Sequence, residues 1–237
     1  MEEHIFIDRY FESEAIILKL ENSNKHNMTT FMNYLENLHS LADKLKDRFD
    51  CNIKNIPEFV ILRIIRNYFH HKDDIQEYSV FVELEEGYTY ENTKHLIISM
   101  KDFAKAIKDF KDNTKNKEYI DEQIELMSKF IDFGILDKVD EFVNLPKFTI
   151  DGKEEILEFG IDLFKYIYNI SNIIADECRE ITSLKNKEVI LKLEDTYTKH
   201  FNIGKRDLRL HPNNRVPIVT TKGFRFPKNR NSLIRAE

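Results

Sequence analysis

The segment Pro57-Glu58-Phe59-Val60-Ile61-Leu62-Arg63-Ile64-Ile65-Arg66-Asn67-Tyr68-Phe69 constrains the fold of this chain more than any other. Proline is tolerated in the first turn of a helix, where its missing N–H would lack a partner anyway. The residues after it are apolar nearly all round, interrupted only by Arg63, Arg66 and Asn67. A helix of that kind belongs at the centre of a bundle. A second helix is expected from Met28-Thr29-Thr30 onward, with Thr29 or Thr30 as its N-cap. Its stripe runs through Phe31, Tyr34, Leu35, Leu38, Leu41, Ala42, Leu45 and Phe49, at three- and four-residue spacings.

The remaining pattern is mixed. Residues 1–25 leave strand and helix both open. Residues 79–99 break the helical period: Val80-Phe81-Val82-Glu83-Leu84 alternates, and His95-Leu96-Ile97-Ile98 follows a polar loop. Two short strands forming a hairpin inserted among helices is the natural reading. Helix is expected to resume with Asp102 as cap, to return over Glu118–Phe133, and to cover Leu136–Val143 before Pro146. Ile156, Phe159, Leu163, Tyr166, Ile167, Ile170, Ile173, Ile174 and Cys178 read as one long stripe out to about Ile181. A further helix is expected from about Ser183 to His200. Beyond Gly204, Pro212, Pro217 and Pro227 punctuate a basic stretch. The expected fold is therefore mainly α: a helical bundle over residues 1–200 with a small inserted β-hairpin, and an extended basic C-terminal tail over 201–237.

Composition supports this reading. Six glycines and five prolines in 237 residues are too few for an all-β chain of tight turns. Two cysteines, Cys51 and Cys178, form no CxxC, so neither a disulfide framework nor a zinc site is expected. No apolar run is long enough to span a bilayer, and the start of the chain is acidic where a signal peptide would be basic. The expected location is the cytoplasm, with no membrane partner. Charge is unevenly spread. Residues 199–237 hold ten Lys or Arg against two acids, a net of +8, so the total of −6 leaves −14 for residues 1–198.

Chemistry concentrates at the end of the apolar helix, in Arg66-Asn67-Tyr68-Phe69-His70-His71. Arginine stays charged and suits phosphate oxygens, whereas histidine gains or loses a proton near neutral pH. Arg66 and His70 lie one turn apart on nearly the same face. The polar Lys72-Asp73-Asp74 is expected to stop the helix, freeing His71 to turn towards Arg66. A purely structural reading also fits: an arginine at a helix C-terminus with two surface histidines favoured by the dipole.

The hexapeptide resembles the signature of the HEPN superfamily, Arg-Asn-x-x-x-His, with Arg66, Asn67 and His71 in its three defining places. The resemblance covers six residues and their helical setting. It implies an all-helical bundle and a metal-independent endoribonuclease that uses no cofactor. In such chemistry the ribose 2′-OH attacks the adjacent phosphorus and the 5′-oxygen leaves. A neutral imidazole takes the 2′-OH proton, and a protonated imidazole gives one to the leaving oxygen. Arginine stabilises the charge on the non-bridging oxygens. The products are a 2′,3′-cyclic phosphate and a 5′-hydroxyl. Arg66 and His71 would carry catalysis, with Asn67 and His70 in support. The second imidazole is either His70 or comes from a homodimer that brings two motifs into one cleft. The resemblance further implies a toxin or phage-defence effector, with an antitoxin or other protein as partner.

Other readings stand beside it. The chain can instead be a non-catalytic interaction or dimerisation module, with Arg66 in a structural contact with an acid of its own chain. Lys205, Arg206, Arg209, Arg215, Lys222, Arg225, Lys228 and Arg230, with Phe224 and Phe226, can track RNA and stack a base. The same tail can equally fold back on the acidic body. His70, His71, Asp73 and Asp74 make a dense ligand set, but adjacent residues point apart, so no metal site is expected. His4, His26, His39, His95, His200 and His211 show no partner in the sequence.

Overall fold

The computed structural model describes residues 4–19, 27–72, 80–83, 94–150, 155–205, 218–225 and 233–235. Helices dominate: α1 (Ile5–Leu18), α2 (Met28–Phe49) and α3 (Pro57–His71) come first. Strands β1 (Val80–Glu83) and β2 (Lys94–Ser99) follow, then α4 (Met100–Asn113), α5 (Lys117–Ser128), α6 (Phe133–Asp137) and α7 (Val139–Val143). Strands β3 (Phe148–Ile150) and β4 (Gly160–Asp162) precede α8 (Phe164–Glu180) and the single turn α9 (Glu188–Leu191). The chain ends in β5 (Ile218–Thr220), β6 (Gly223–Arg225) and β7 (Leu233–Arg235).

Helix α3 is the central element, touching α2, α4, α5 and α8. Phe59, Val60, Ile61, Leu62, Ile64, Ile65 and Phe69 are all buried. Arg63 is accommodated by donating from Nη2 to Gln123 Oε1 at 2.7 Å, with its guanidinium over the Phe59 and Tyr119 rings. Helix α2 buries its apolar stripe as expected. Its cap is Asn27, not Thr29 or Thr30. Asn27 Oδ1 accepts from the Thr30 N–H at 3.0 Å, and Thr30 Oγ1 accepts from the Asn27 N–H at 3.1 Å. This is a capping box, with Thr30 as its third residue. The N-terminal region resolves as helix, α1, whose Tyr10 hydroxyl lies 2.8 Å from Ser171 Oγ on α8.

The hairpin of 79–99 is present as β1 and β2, paired antiparallel from Val80↔Ile97 to Glu83↔Lys94. It is not a free-standing insertion. Strand β2 also pairs with β4, through Ile97↔Asp162 and Ser99↔Gly160, so the sheet order is β1-β2-β4. Leu96 and Ile98 enter the bundle core. Gly160 is required by close approach: a Cβ there would lie 2.4 Å from Ile97 Cγ2 and 3.2 Å from the Thr220 backbone.

Several expected helices are redrawn. Ser99, not Asp102, caps α4, its hydroxyl accepting from the Lys101 N–H at 3.2 Å. The expected 118–133 helix ends at Ser128, and Leu136–Val143 is divided between α6 and α7. The long stripe after Asp151 is not one helix. Phe159 bridges to Thr220 and β4 pairs with β2, so the helix starts only at Phe164, whose N–H is taken by Asp162 Oδ1 at 3.0 Å. The expected Ser183–His200 helix shrinks to α9 and a 3₁₀ turn at Lys199–Phe201. Side chains of α8 supply the competing bonds. Asp176 accepts from the Lys199 N–H at 2.9 Å and the Thr198 hydroxyl at 3.1 Å, while Arg179 donates to the Tyr197 and Glu194 carbonyls.

The described parts of the tail are not simply extended. Strands β5 and β6 form a hairpin, and β7 pairs with β3. Asn169 of α8 ties the tail's start to the body. It accepts from Ile203 N at 2.7 Å and donates to Ile203 O at 2.9 Å and to Glu58 Oε1 at 3.0 Å.

Candidate active site

Helix α3 continues through His71, with the Lys72 N–H still donating to Tyr68 O at 2.8 Å. His71 therefore does not leave the helix to reach Arg66. Its ring meets that of His70 instead, with Nδ1 atoms 3.3 Å apart and ring centroids 4.5 Å apart. Both histidines occupy the last turn, where carbonyl dipoles favour positive charge. Both are exposed, as is Asn67.

Arg66 is fixed by a residue from outside the motif, Glu36 of α2. Arg66 donates from Nε to Glu36 Oε1 at 2.9 Å and from Nη2 to Oε2 at 2.7 Å. A third bond runs from Nη1 to Asn67 Oδ1 at 3.2 Å. A guanidinium has five N–H donors, so two remain after these three bonds. Glu36 also lies 3.8 Å from His70 Nε2, an ion-pair separation and not a hydrogen bond. The sequence-predicted residues thus form a chain of contacts, Asn67–Arg66–Glu36–His70–His71. Its one member from outside the motif completes it.

The hydrogen bonds from Arg66 hold the Glu36 carboxyl below the usual carboxylate range, helped by the nearby charge of Arg66 and against its partial burial. It is therefore an anion at neutral pH. One turn further along α2, His39 Nδ1 lies 3.4 Å from Asp43 Oδ2, and Lys54 Nζ lies 2.6 Å from Asp43 Oδ1. Burial pushes the His39 pKa down, opposed by Asp43. Glu36, His39 and Asp43 follow one another at spacings of three and four along α2, on a polar stripe that flanks the apolar one.

The contact between the two Nδ1 atoms restricts protonation. One ring donates its Nδ1–H and the other accepts on a bare Nδ1, so both rings cannot be imidazolium and keep the contact. An anionic Glu36 beside His70 Nε2 favours the proton on that atom. In that tautomer His70 Nδ1 accepts, His71 Nδ1 donates, and a neutral His71 ring carries no hydrogen on Nε2.

Of the candidate RNA-binding cations of the tail, Lys205, Lys222 and Arg225 lie among the described residues, and each contacts the rest of the chain. Lys205 Nζ donates to Ser128 O at 3.0 Å and Ile131 O at 3.2 Å, at the end of α5. Lys222 Nζ donates to Glu155 Oε1 at 2.7 Å, and Arg225 Nη2 lies 3.4 Å from Glu155 Oε2. Phe224 is buried and meets His95 edge-on at 4.6 Å, so it is not offered to a base. Arg206, Arg209, Arg215, Phe226, Lys228 and Arg230 lie outside the described residues, as do Asp73 and Asp74. His95 has a partner that the sequence did not reveal: its Nδ1 is 2.6 Å from Asp162 Oδ2 across β2 and β4. Among the described residues no group of three or more His, Cys, Asp or Glu is arranged to hold a metal ion. Nor is any described helix long and apolar enough to cross a membrane.

No family model, curated protein or solved structure matches this chain. The likeness to the HEPN signature therefore rests on the hexapeptide and its helical setting.

Proposed function

We propose that the chain is a metal-independent endoribonuclease of the HEPN type, with Arg66 and His71 as its catalytic residues. The observation that carries this reading is the chain of contacts that anchors Arg66 by two bonds to Glu36 and ends on the exposed His71 ring. Preorganisation of this kind makes a phosphate-binding cation effective, because little rearrangement is needed as charge develops. The two remaining N–H groups of Arg66 fork onto the non-bridging oxygens of the scissile phosphate. His71 Nε2 takes the proton from the ribose 2′-OH. The 2′-oxygen bonds to phosphorus, the 5′-oxygen leaves with the P–O electron pair, and an imidazolium protonates it. That second imidazole comes from His71 of a two-fold mate, with the homodimer placing two motifs in one groove. His70 and Glu36 set the tautomer of His71, and Asn67 helps position Arg66. In a cell such an enzyme acts as a toxin or phage-defence effector, kept in check by a partner protein.

A second reading has one observation in its favour. The Arg66–Glu36 pair is the within-chain contact that a non-catalytic dimerisation or regulatory module would use. Expression in a bacterial host separates the two. Growth arrest by the wild type, relieved by Arg66→Ala or His71→Ala at equal protein level, supports the nuclease. Identical growth of all three strains supports the module.

A further inference from the structure

A cleft of about 260 Å³ lies between α1 and the α9 turn, away from the end of α3. Phe11, Ala15, Val189, Leu193 and Tyr197 give it apolar walls. Glu14 also lines it, and this carboxyl is buried, with 1% of its surface exposed. The Tyr197 and Ser171 hydroxyls favour the ionised form of Glu14, yet its Oε1 has no hydrogen-bond partner among the described residues. A buried carboxylate oxygen without a partner is costly, and such groups are normally paired.

The charges facing Glu14 do not pair it. Lys19, the cation that acts on it, is exposed at the mouth. Lys192, also at the mouth, donates to Glu188 one turn back. Glu12 and Glu194 complete the rim and carry negative charge. Tyr10, Tyr34 and Tyr197, which crowd Glu14 from α1, α2 and the turn after α9, have pKa values raised chiefly by burial and stay neutral.

We propose that this cleft binds a small organic cation, an ammonium or amidinium on an apolar body, with the Glu14 carboxylate as its counter-ion. Shape and chemistry agree with this class. Aromatic and aliphatic walls take the apolar body, the rim charges of Lys19 and Lys192 against Glu12 and Glu194 balance, and the Glu14 carboxylate is the charge left over to meet the N–H. The site is independent of the nuclease reading, since it shares no residue with Arg66, Glu36, His70 or His71.

Burial pushes the Glu14 carboxyl up to about 7. A cation must compete with that proton, so binding strengthens as pH rises through neutrality and releases protons below it. The test is calorimetric titration of the full chain with benzamidine at pH 8 and 6.5, beside benzyl alcohol and phenylacetate as neutral and anionic analogues. Benzamidine is expected to bind the wild type about tenfold or more tightly than Glu14→Gln, the size of a lost charge-assisted hydrogen bond. Ala15→Leu, which fills the cleft and leaves Glu14 in place, is expected to abolish binding. Proton release at pH 6.5 should appear as a buffer-dependent heat. Absence of millimolar binding to the folded wild type, equal affinity for Glu14→Gln, or preference for phenylacetate would each overturn the proposal.

Discussion

Replacing Glu14 by Gln should make the protein more stable above neutral pH, although it removes a charged group. The Glu14 carboxyl has a pKa of about 7 in the fold against an ordinary 4.5, with burial the main cause. Between these values the folded chain holds a proton that the unfolded chain has lost. Stability therefore falls as pH rises through this window and is lowest above 7. A rise from 4.5 to about 7 is worth roughly 3 kcal/mol. Gln keeps the shape and the hydrogen-bonding capacity but cannot ionise. At pH 8 the variant should exceed the wild type by up to ~3 kcal/mol, and at pH 4.5 the two should agree within ~1 kcal/mol. For a chain of this length that corresponds to a melting temperature higher by about 6–12 °C at pH 8. With ten tyrosines and no tryptophan, far-ultraviolet circular dichroism in urea at stepped pH is the suitable assay. Other titrating groups, including the buried Glu58, are common to both proteins, so the difference curve isolates Glu14. Parallel stability curves from pH 4.5 to 8 would refute the reasoning.

Three further outcomes are expected. Glu36→Gln should lower RNA cleavage at least about tenfold by loosening Arg66, while stability changes by ~1 kcal/mol, because Glu36 is 40% exposed and Gln keeps one acceptor oxygen for the 17%-exposed Arg66. Cleavage rates and thermal melts measured on one preparation check both halves. Gly160→Ala should cost ~1–3 kcal/mol, since the added methyl meets Ile97 and the Thr220 backbone, and urea midpoints read this directly. Asn169→Ala should cost at least ~2 kcal/mol by orphaning the buried Ile203 N–H and the Glu58 carboxyl, and should speed amide exchange at Ile203.

Helices α2 and α3 could be read from the sequence because their apolar residues recur with helical period and few polar residues confuse the pattern. Their boundaries depended on particular side chains. Asn27 won the α2 cap over Thr30 because both bonds of the capping box can form only with Asn27 at its head. Phe159 carries helical spacing but bridges to Thr220, and Leu163 is only the N-cap of α8, since the pairing of β4 with β2 just before it outweighs local period. The Ser183–His200 region has the residues of a helix and lost it to Asp176 and Arg179, which bond backbone 15 to 23 residues away. The motif itself was visible as residue types. Glu36 was not, because nothing local marks a carboxylate that meets an arginine 30 positions later. The pairing of His95 with Asp162 was hidden for the same reason: strand register decides it.

In the proposed reaction one guanidinium and one imidazole from α3 act on the same phosphodiester. The most direct measurement is mass analysis of the 3′ ends left on a defined RNA by purified wild type, Arg66→Ala and His71→Ala in a chelator. The expected result is 2′,3′-cyclic phosphate ends from the wild type, none from either variant, and none where the 2′-OH at the cleaved site is methylated. Cyclic ends produced equally by the folded variants, or wild-type cleavage that survives methylation, would contradict it.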